Sequence, residues 1–140
     1  MRTPWHLWVI GIVSLAWNAG GVYDYLMMQM GVESYRAMMT PDQAAWYDAL
    51  PVWLNIFWAL GVWGAILGSI LLLLRSRLAA LSFSVSLIGI IVNISFTIAG
   101  GTDVVDMMGP GAMAFSAAVI VVALLLWLYA RAMLRAGVLR

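Results

Sequence analysis

The strongest constraint on the fold is an alternation of charge around four long apolar stretches. The segments that flank these stretches are in turn basic, acidic, basic, acidic and basic. The basic segments hold Arg2, Arg75, Arg77, Arg131, Arg135 and Arg140, and the acidic ones hold Asp24, Glu33, Asp42, Asp48, Asp103 and Asp106. Arg36 is the one arginine on the acidic side. This pattern is typical of a membrane protein that crosses the bilayer four times.

The length of the apolar stretches agrees with this interpretation. The 140 residues are 65% hydrophobic and 9% charged, which is too little charge to cover a soluble domain. The runs 51–74, 78–102 and 107–130 carry no charged side chain and exceed the about 20 residues that a bilayer-spanning helix needs. We predict a single all-α membrane domain over residues 1–140, a four-transmembrane-helix bundle with spans at about 5–28, 52–74, 78–99 and 112–130.

The first stretch is shorter than the other three and reaches span length only with its flanks. Ser14-Leu15-Ala16 would also suit a signal-peptide cleavage site, but we expect this segment to be retained as a span. The excess of arginine in the basic segments then places both termini in the cytoplasm.

The longest segment between spans carries a helix signal of its own. Thr40-Pro41-Asp42-Gln43 reads as a capping box with proline at the first helical position. We predict a short amphipathic helix over residues 41–49 on the outer side, between the first and second spans. Such a helix either rests on the membrane surface or covers a site beneath it.

The composition argues against several function classes. The chain has no cysteine, which rules out disulfides and iron–sulfur clusters, and its single His6 cannot build a metal site alone. It contains no Ser-His-Asp set and no phosphate loop, so we predict no enzyme, no catalytic residue, no cofactor and no metal. A net charge of +1 argues against nucleic acid as a partner, whereas the lipid bilayer is the expected one.

Small residues on the second and third spans form strips that are typical of helix packing. Their spacing places each strip on one helical face, where small side chains let two backbones approach and hydroxyl groups bond across helices. The predicted packing residues are Gly61, Gly64, Gly68, Ser82, Ser86 and Gly89. The glycine strip could equally serve as the contact of a homo-oligomer.

Amide, carboxylate and aromatic side chains collect in the outer half of the predicted bundle. Polar groups within a membrane are costly and usually face protein or water. We therefore predict an outward-facing pocket for a neutral polar molecule, such as a sugar, or for a lipid or quinone head group. The candidate ligand-binding residues are Asn18, Asp24, Tyr25, Asn55, Trp58 and Asn93.

The sequence also allows two other interpretations of these polar residues. In the first, Asn18, Asn55 and Asn93 form hydrogen bonds with one another, and Asp24 only marks the outer end of the first span. Asp24 could also be a proton-coupling carboxylate, as in small four-span exporters, although it lies closer to the boundary than the acid of those proteins.

Part of the chain is similar to a family of small four-span bacterial inner-membrane proteins. The likeness is carried by Trp17-Asn18, Gly21, Asp24-Tyr25, Thr40-Pro41-Asp42-Gln43, Ala59-Leu60-Gly61-Val62-Trp63-Gly64, Leu67-Gly68-Ser69 and the arginine turn that follows. It covers roughly the first 80 residues. Proteins of this kind often receive the automatic label "sugar transporter". The resemblance implies a four-span architecture in the bacterial inner membrane and a sugar-like ligand.

Two functions follow from these observations. The first is a transporter or a membrane-embedded binding protein, whose pathway would need a homo-oligomer because four helices enclose little space. The alternative is a non-catalytic accessory or assembly subunit of a larger membrane complex. Its partner surface would be formed by Trp58, Trp63, Met27, Met28, Met30, Met38 and Met39. Copper(I) binding by those methionines is disfavoured because neither histidine nor cysteine accompanies them.

Overall fold

A computed structural model describes residues 3–140 of the chain, which form seven helices and no strand. The helices are α1 (Trp5–Gln29), α2 (Glu33–Arg36), α3 (Pro41–Asp48), α4 (Val52–Leu73), α5 (Leu78–Ala99), α6 (Thr102–Met108) and α7 (Pro110–Arg135). The all-helical fold agrees with the prediction. Arg2, which belongs to the predicted charge alternation, lies outside the described residues.

Three helices within residues 3–140 are long and apolar enough to cross a membrane. They are α4, α5 and α7. Helix α1 has 25 residues and is thus about 38 Å long at 1.5 Å per residue, but it is not among the three. The structure therefore shows three candidate membrane-spanning helices, and the fourth span stays a prediction.

Helices α6 and α7 differ from the expected layout for local reasons, and the single-turn helix α2 was not predicted either. Helix α7 extends beyond the predicted 112–130 at both ends, and Pro110 occupies its first position, where no backbone N–H is needed. Helix α6 was not predicted, because the glycines around it suggested a loop. Gly101 and Gly109 bound this short helix with φ of +87°, a conformation that favours glycine.

The tightest packing in the molecule joins α4 to α5. A Cβ atom added to Gly89 would lie 2.4 Å from the Phe57 carbonyl oxygen, so the two backbones touch directly. The hydroxyl groups of Ser82 and Ser86 donate to the carbonyl oxygens of Gly64 and Gly61, at 2.7 and 2.6 Å.

The third glycine of the strip packs in the same way. A Cβ atom on Gly68 would lie 2.7 Å from the Phe83 ring. The glycine strip of α4 therefore faces α5 of its own chain.

One end of the bundle, here called the arginine end, holds Arg75, Arg77, Arg131, Arg135 and Arg140 and is closed by an apolar cluster. Leu7, Leu72, Ala79, Ala80, Phe83, Leu126, Ala130, Val138 and Leu139 form this cluster. Residues 136–140 fold back onto the turn between α4 and α5, where the Arg140 N–H donates to the Arg75 carbonyl at 2.8 Å. Val138 and Leu139 are thereby buried beneath the bundle.

The opposite end, here called the acidic end, holds the six carboxylates and Arg36. The Arg36 side chain on α2 lies 2.9 Å from both carboxylate oxygens of Asp48, which ends α3. The arginine that departs from the charge alternation is therefore paired locally. Because Asp48 is well exposed, this ion pair orients α2 and α3 more than it stabilises the fold.

Candidate functional site

A cavity of about 770 Å³ lies between the four long helices in the half nearer the acidic end. Its lining on α4 runs from Leu54 to Ala65, a depth of about 17 Å. Helices α2 and α3 contribute side chains above it. The aromatic lining residues are Trp17, Tyr35, Trp46, Tyr47, Trp58 and Phe115, and the polar ones are Asn18, Asp24, Asn93, Thr97 and Ser116.

The cavity exists because α1 and α7 do not pack closely against each other. Helix α1 packs on α4, and α7 packs on α5, without comparable backbone packing between α1 and α7. Side chains bridge the gap: the ring centroids of Trp17 and Phe115 are 6.0 Å apart, and His6 is hydrogen-bonded to Tyr129 nearer the arginine end. Gly20 and Gly21 leave the α1 wall without side chains at these positions, and a Cβ atom added to either would meet no atom within 4 Å.

Asn18 is the deepest polar side chain of the cavity. It is 8% exposed, and its Nδ2 donates to the Ala65 carbonyl at 3.1 Å and to the Ser69 hydroxyl at 2.9 Å, both on α4. A backbone carbonyl can only accept, so this contact requires the amide nitrogen to face α4. The Asn18 Oδ1 receives no hydrogen bond from the described residues.

Asn93 is held in a similar way on the α5 wall. Its Nδ2 donates to the Gly89 carbonyl at 2.9 Å, one turn earlier on the same helix. The Thr97 hydroxyl donates to the backbone carbonyl of Asn93 at 3.1 Å. Over residues 3–140, no hydrogen bond joins Asn18, Asn55 and Asn93 to one another, so the alternative in which they pair does not describe the structure.

Asp24 lies near the mouth of the cavity among phenol groups. The Tyr35 hydroxyl donates to its Oδ1. Burial and this hydrogen bond raise the pKa of Tyr35 to about 12. Burial, together with the charge of Asp24, raises the pKa of Tyr47 as well. Both phenols therefore remain neutral at physiological pH and retain their protons as hydrogen-bond donors.

The mouth of the cavity is covered in part by α3, whose position depends on three hydrogen bonds of Gln43. The predicted capping box is present: the Gln43 N–H donates to the Thr40 hydroxyl at 3.2 Å, and the Thr40 N–H donates to Gln43 Oε1 at 3.1 Å. The Gln43 Nε2 also donates to the Met107 carbonyl of α6 at 3.0 Å. These contacts hold Trp46 and Tyr47 over the cavity.

Four of the six side chains proposed from the sequence line the cavity, namely Asn18, Asp24, Trp58 and Asn93. Tyr25 does not line it. Its ring packs edge-on against Trp58 and Trp63, at centroid distances of 5.0 and 6.2 Å respectively. Tyr25 therefore contacts a lining residue without lining the cavity itself. Asn55 is half-buried outside the lining.

Sequence reasoning did not select the other aromatic lining residues. Trp46 and Tyr47 lie on the capped helix, and its possible role as a cover was the one signal that pointed to them. Phe115 and Ser116 lie on the fourth long helix, where no polar stripe marks the lining face. Trp58 lies in the cavity wall, whereas Trp63, the other tryptophan of the expected partner surface, is 44% exposed.

The described residues offer no metal centre, since no three His, Cys, Asp or Glu side chains in the range 3–140 are grouped to hold an ion. The fold and the site thus define an all-helical protein with three apolar helices able to cross a membrane and a cavity among its long helices. No protein-family model matches the chain, and no curated protein and no solved structure is significantly similar to it.

Proposed function

We propose that the chain is a transporter or a membrane-embedded binding protein that receives a small polar or lipid-like molecule at its acidic end. The observation that carries this proposal is the cavity of about 770 Å³. Its volume falls within the roughly 300–1,000 Å³ of small-molecule sites. A few polar groups within an aromatic and aliphatic wall are also the usual means of orienting a ligand in such sites.

The proposal includes α1 as a fourth span, which makes the protein multi-pass with both ends in the cytoplasm. Helix α1 is long enough to cross, and Ile12 and Val13 expose large apolar side chains midway along it. With the arginine end in the cytoplasm, the cavity faces outward and α3 is an outer helix. A bacterial inner membrane is the proposed location, on the resemblance described above.

Closure of the arginine end distinguishes binding from transport. The cluster that contains Leu7, Leu72, Val138 and Leu139 seals the bundle beneath the cavity. A binding protein needs no change there. Transport requires these side chains to separate, so the structure corresponds to a state that is accessible from the acidic end alone.

The proposal is tested by filling the cavity without disturbing the fold. Gly21 lines the cavity and borders open space, so Gly21→Leu places a side chain in the ligand volume without a backbone clash. Gly111→Leu is the matched control, because Gly111 also borders open space but does not line the cavity. Each protein is purified in lipid nanodiscs and analysed by native mass spectrometry.

We expect the unmodified protein and Gly111→Leu to release a bound small molecule that Gly21→Leu lacks. The same bound species at equal occupancy in all three proteins, or none in any of them, would contradict a ligand site in this cavity. Uptake into proteoliposomes of the molecule so identified then separates a transporter from a binding protein.

A further inference from the structure

We infer that the cavity selects a cation, namely an organic ammonium with N–H donors and an apolar or aromatic body. This inference rests on the proposed function and replaces the neutral ligand expected from the sequence. It is drawn from three properties of the lining: the orientation of its amides, its charge and its aromatic rings.

The orientation of the two amides makes the polar wall an acceptor surface. Nδ2 of Asn18 and of Asn93 are both committed to backbone carbonyls, of Ala65 and Gly89. Since a carbonyl only accepts, turning either amide over would place its Oδ1 against that carbonyl oxygen, two acceptors with no proton between them. Each Oδ1 is therefore left for a ligand, and the Asn18 oxygen, on a residue that is 8% exposed, receives no hydrogen bond from residues 3–140.

The lining carries negative charge and no positive charge among the described residues. Asp24 is the only charged side chain among the lining residues. Tyr35 donates one hydrogen bond to it, and a carboxylate accepts several, so further acceptor positions remain. Arg36, the arginine at the acidic end, is paired with Asp48 and does not line the cavity. A neutral ligand would leave the Asp24 charge unused, whereas an ammonium compensates it.

Aromatic rings surround these acceptors on three helices. Trp17, Trp58 and Phe115 line the walls, and Trp46 and Tyr47 lie above them. The face of an aromatic ring attracts a cation and also contacts apolar groups. The ring faces thus suit both parts of an amphiphilic ammonium. The acidic end, with six carboxylates and one arginine, would also concentrate cations at the mouth.

The test compares two probes that differ in charge but hardly in shape: the 2-phenylethylammonium ion and neutral 2-phenylethanol. Binding to the protein in nanodiscs is measured by quenching of tryptophan fluorescence, because Trp17, Trp46 and Trp58 line the cavity. We expect the ammonium to bind about tenfold tighter than the alcohol, as a hydrogen bond to a charged group allows.

Matched variants assign that preference to the lining. Asp24→Asn should bind both probes with similar affinity. Asp42→Asn removes an exposed carboxylate that lies outside the lining, and should keep the preference. Gly21→Leu should weaken the binding of both probes.

The possible failures are distinguishable. Equal affinity for the two probes in the unmodified protein, with both lost in Gly21→Leu, overturns the inference of a cation site and leaves the proposed function standing. A preference for the ammonium that survives in Asp24→Asn also overturns it. Absence of binding of both probes to the unmodified protein counts against both the inference and the proposed function.

Discussion

Asn18 on α1 and Ser69 on α4 are joined by a hydrogen bond of 2.9 Å from Nδ2 to Oγ at the floor of the cavity. The same Nδ2 also donates to the Ala65 carbonyl. One side chain thus contributes both to the packing of two helices and to the lining of the site. Asn93, whose bond stays within α5, contributes to the lining alone.

Substitution of these two asparagines should therefore have different effects on stability. We expect Asn18→Ala to lower the free energy of unfolding by about 1 kcal/mol, because it removes two bonds to α4 that are worth about 0.6 kcal/mol each. Asn93→Ala should leave it nearly unchanged. The free energies are measured by denaturant unfolding in mixed micelles.

A double-mutant cycle isolates the contact between Asn18 and Ser69. The coupling free energy of Asn18→Ala with Ser69→Ala should be about 0.6 kcal/mol. A coupling near zero, or an Asn93→Ala variant as unstable as Asn18→Ala, would show that the bond to α4 does not hold the two helices together.

Two glycines should respond in opposite ways to alanine. In Gly89→Ala the new methyl group would lie 2.4 Å from the Phe57 carbonyl oxygen and 2.7 Å from the Gly61 nitrogen. Neither backbone atom can move aside alone, so we expect a loss of about 2 kcal/mol or more in the free energy of unfolding. Gly20→Ala meets nothing within 4 Å and should be neutral or slightly stabilising. The stability of both variants is measured by thermal unfolding in nanodiscs. Equal stability of Gly89→Ala and Gly20→Ala would contradict the close approach of α4 and α5.

Loss of the cap at Thr40 should loosen the cover of the cavity while the bundle stays folded. Thr40→Ala removes the hydroxyl that accepts the Gln43 N–H, at a cost of about 1 kcal/mol to α3. Amide hydrogen exchange should accelerate over residues 41–48 and remain slow in α4 and α5. Thr102→Ala is the control, because Thr102 begins α6 in an exposed position without a side-chain cap. Equal acceleration in both variants would mean that the capping box does not hold α3.

The phenol of Tyr35 should make stability depend on alkaline pH. Its pKa in the fold, about 12, lies above the ordinary value of 10.0. The folded state thus favours the neutral phenol, and this contribution to stability is complete below pH 10 and is lost as the pH rises toward 12. Tyr35→Phe should therefore lose less stability than the unmodified protein over this range. An identical alkaline loss in both proteins would exclude Tyr35 as its source.

Asp24→Asn gives an independent test of the same pair. Without the carboxylate, the pKa of Tyr35 should fall only part of the way toward 10.0, because burial, the largest single cause of its rise, remains. The difference in tyrosinate absorbance between Asp24→Asn and the double variant with Tyr35→Phe follows this titration. An unchanged pKa would show that Asp24 does not influence the phenol.

Helix positions were largely predictable, because local signals specify them. Pro51 precedes α4, the Thr40 cap begins α3, and Arg75-Ser76-Arg77 separates α4 from α5. Helix α6 escaped prediction because the glycines that bound it also suit a loop.

The depth of a site residue in the bundle was also predictable, but the direction in which its side chain points was less so. Counting along a helix gives the height of a side chain, whereas the packing of neighbouring helices decides which way it points. Leu54 and Asp24 line the cavity, but Asn55 and Tyr25, one residue further on and turned by about 100°, do not. Trp46 and Phe115 reach the cavity through the packing of helices that are distant in sequence, and local sequence patterns do not reveal such contacts.

The contact between Gly61 and Gly89 divides the molecule mechanically. With no side chain between their backbones, α4 and α5 cannot slide or separate without losing direct contact, so we expect them to move as one unit. Trp58 and Asn93 lie on these two helices and should keep their spacing. Helices α1 and α7 are joined by side chains such as Trp17 and Phe115 rather than by close backbone packing, so we expect their separation to change more readily. Molecules of different width in the proposed site would thus meet a fixed wall on α4 and α5 and an adjustable one opposite.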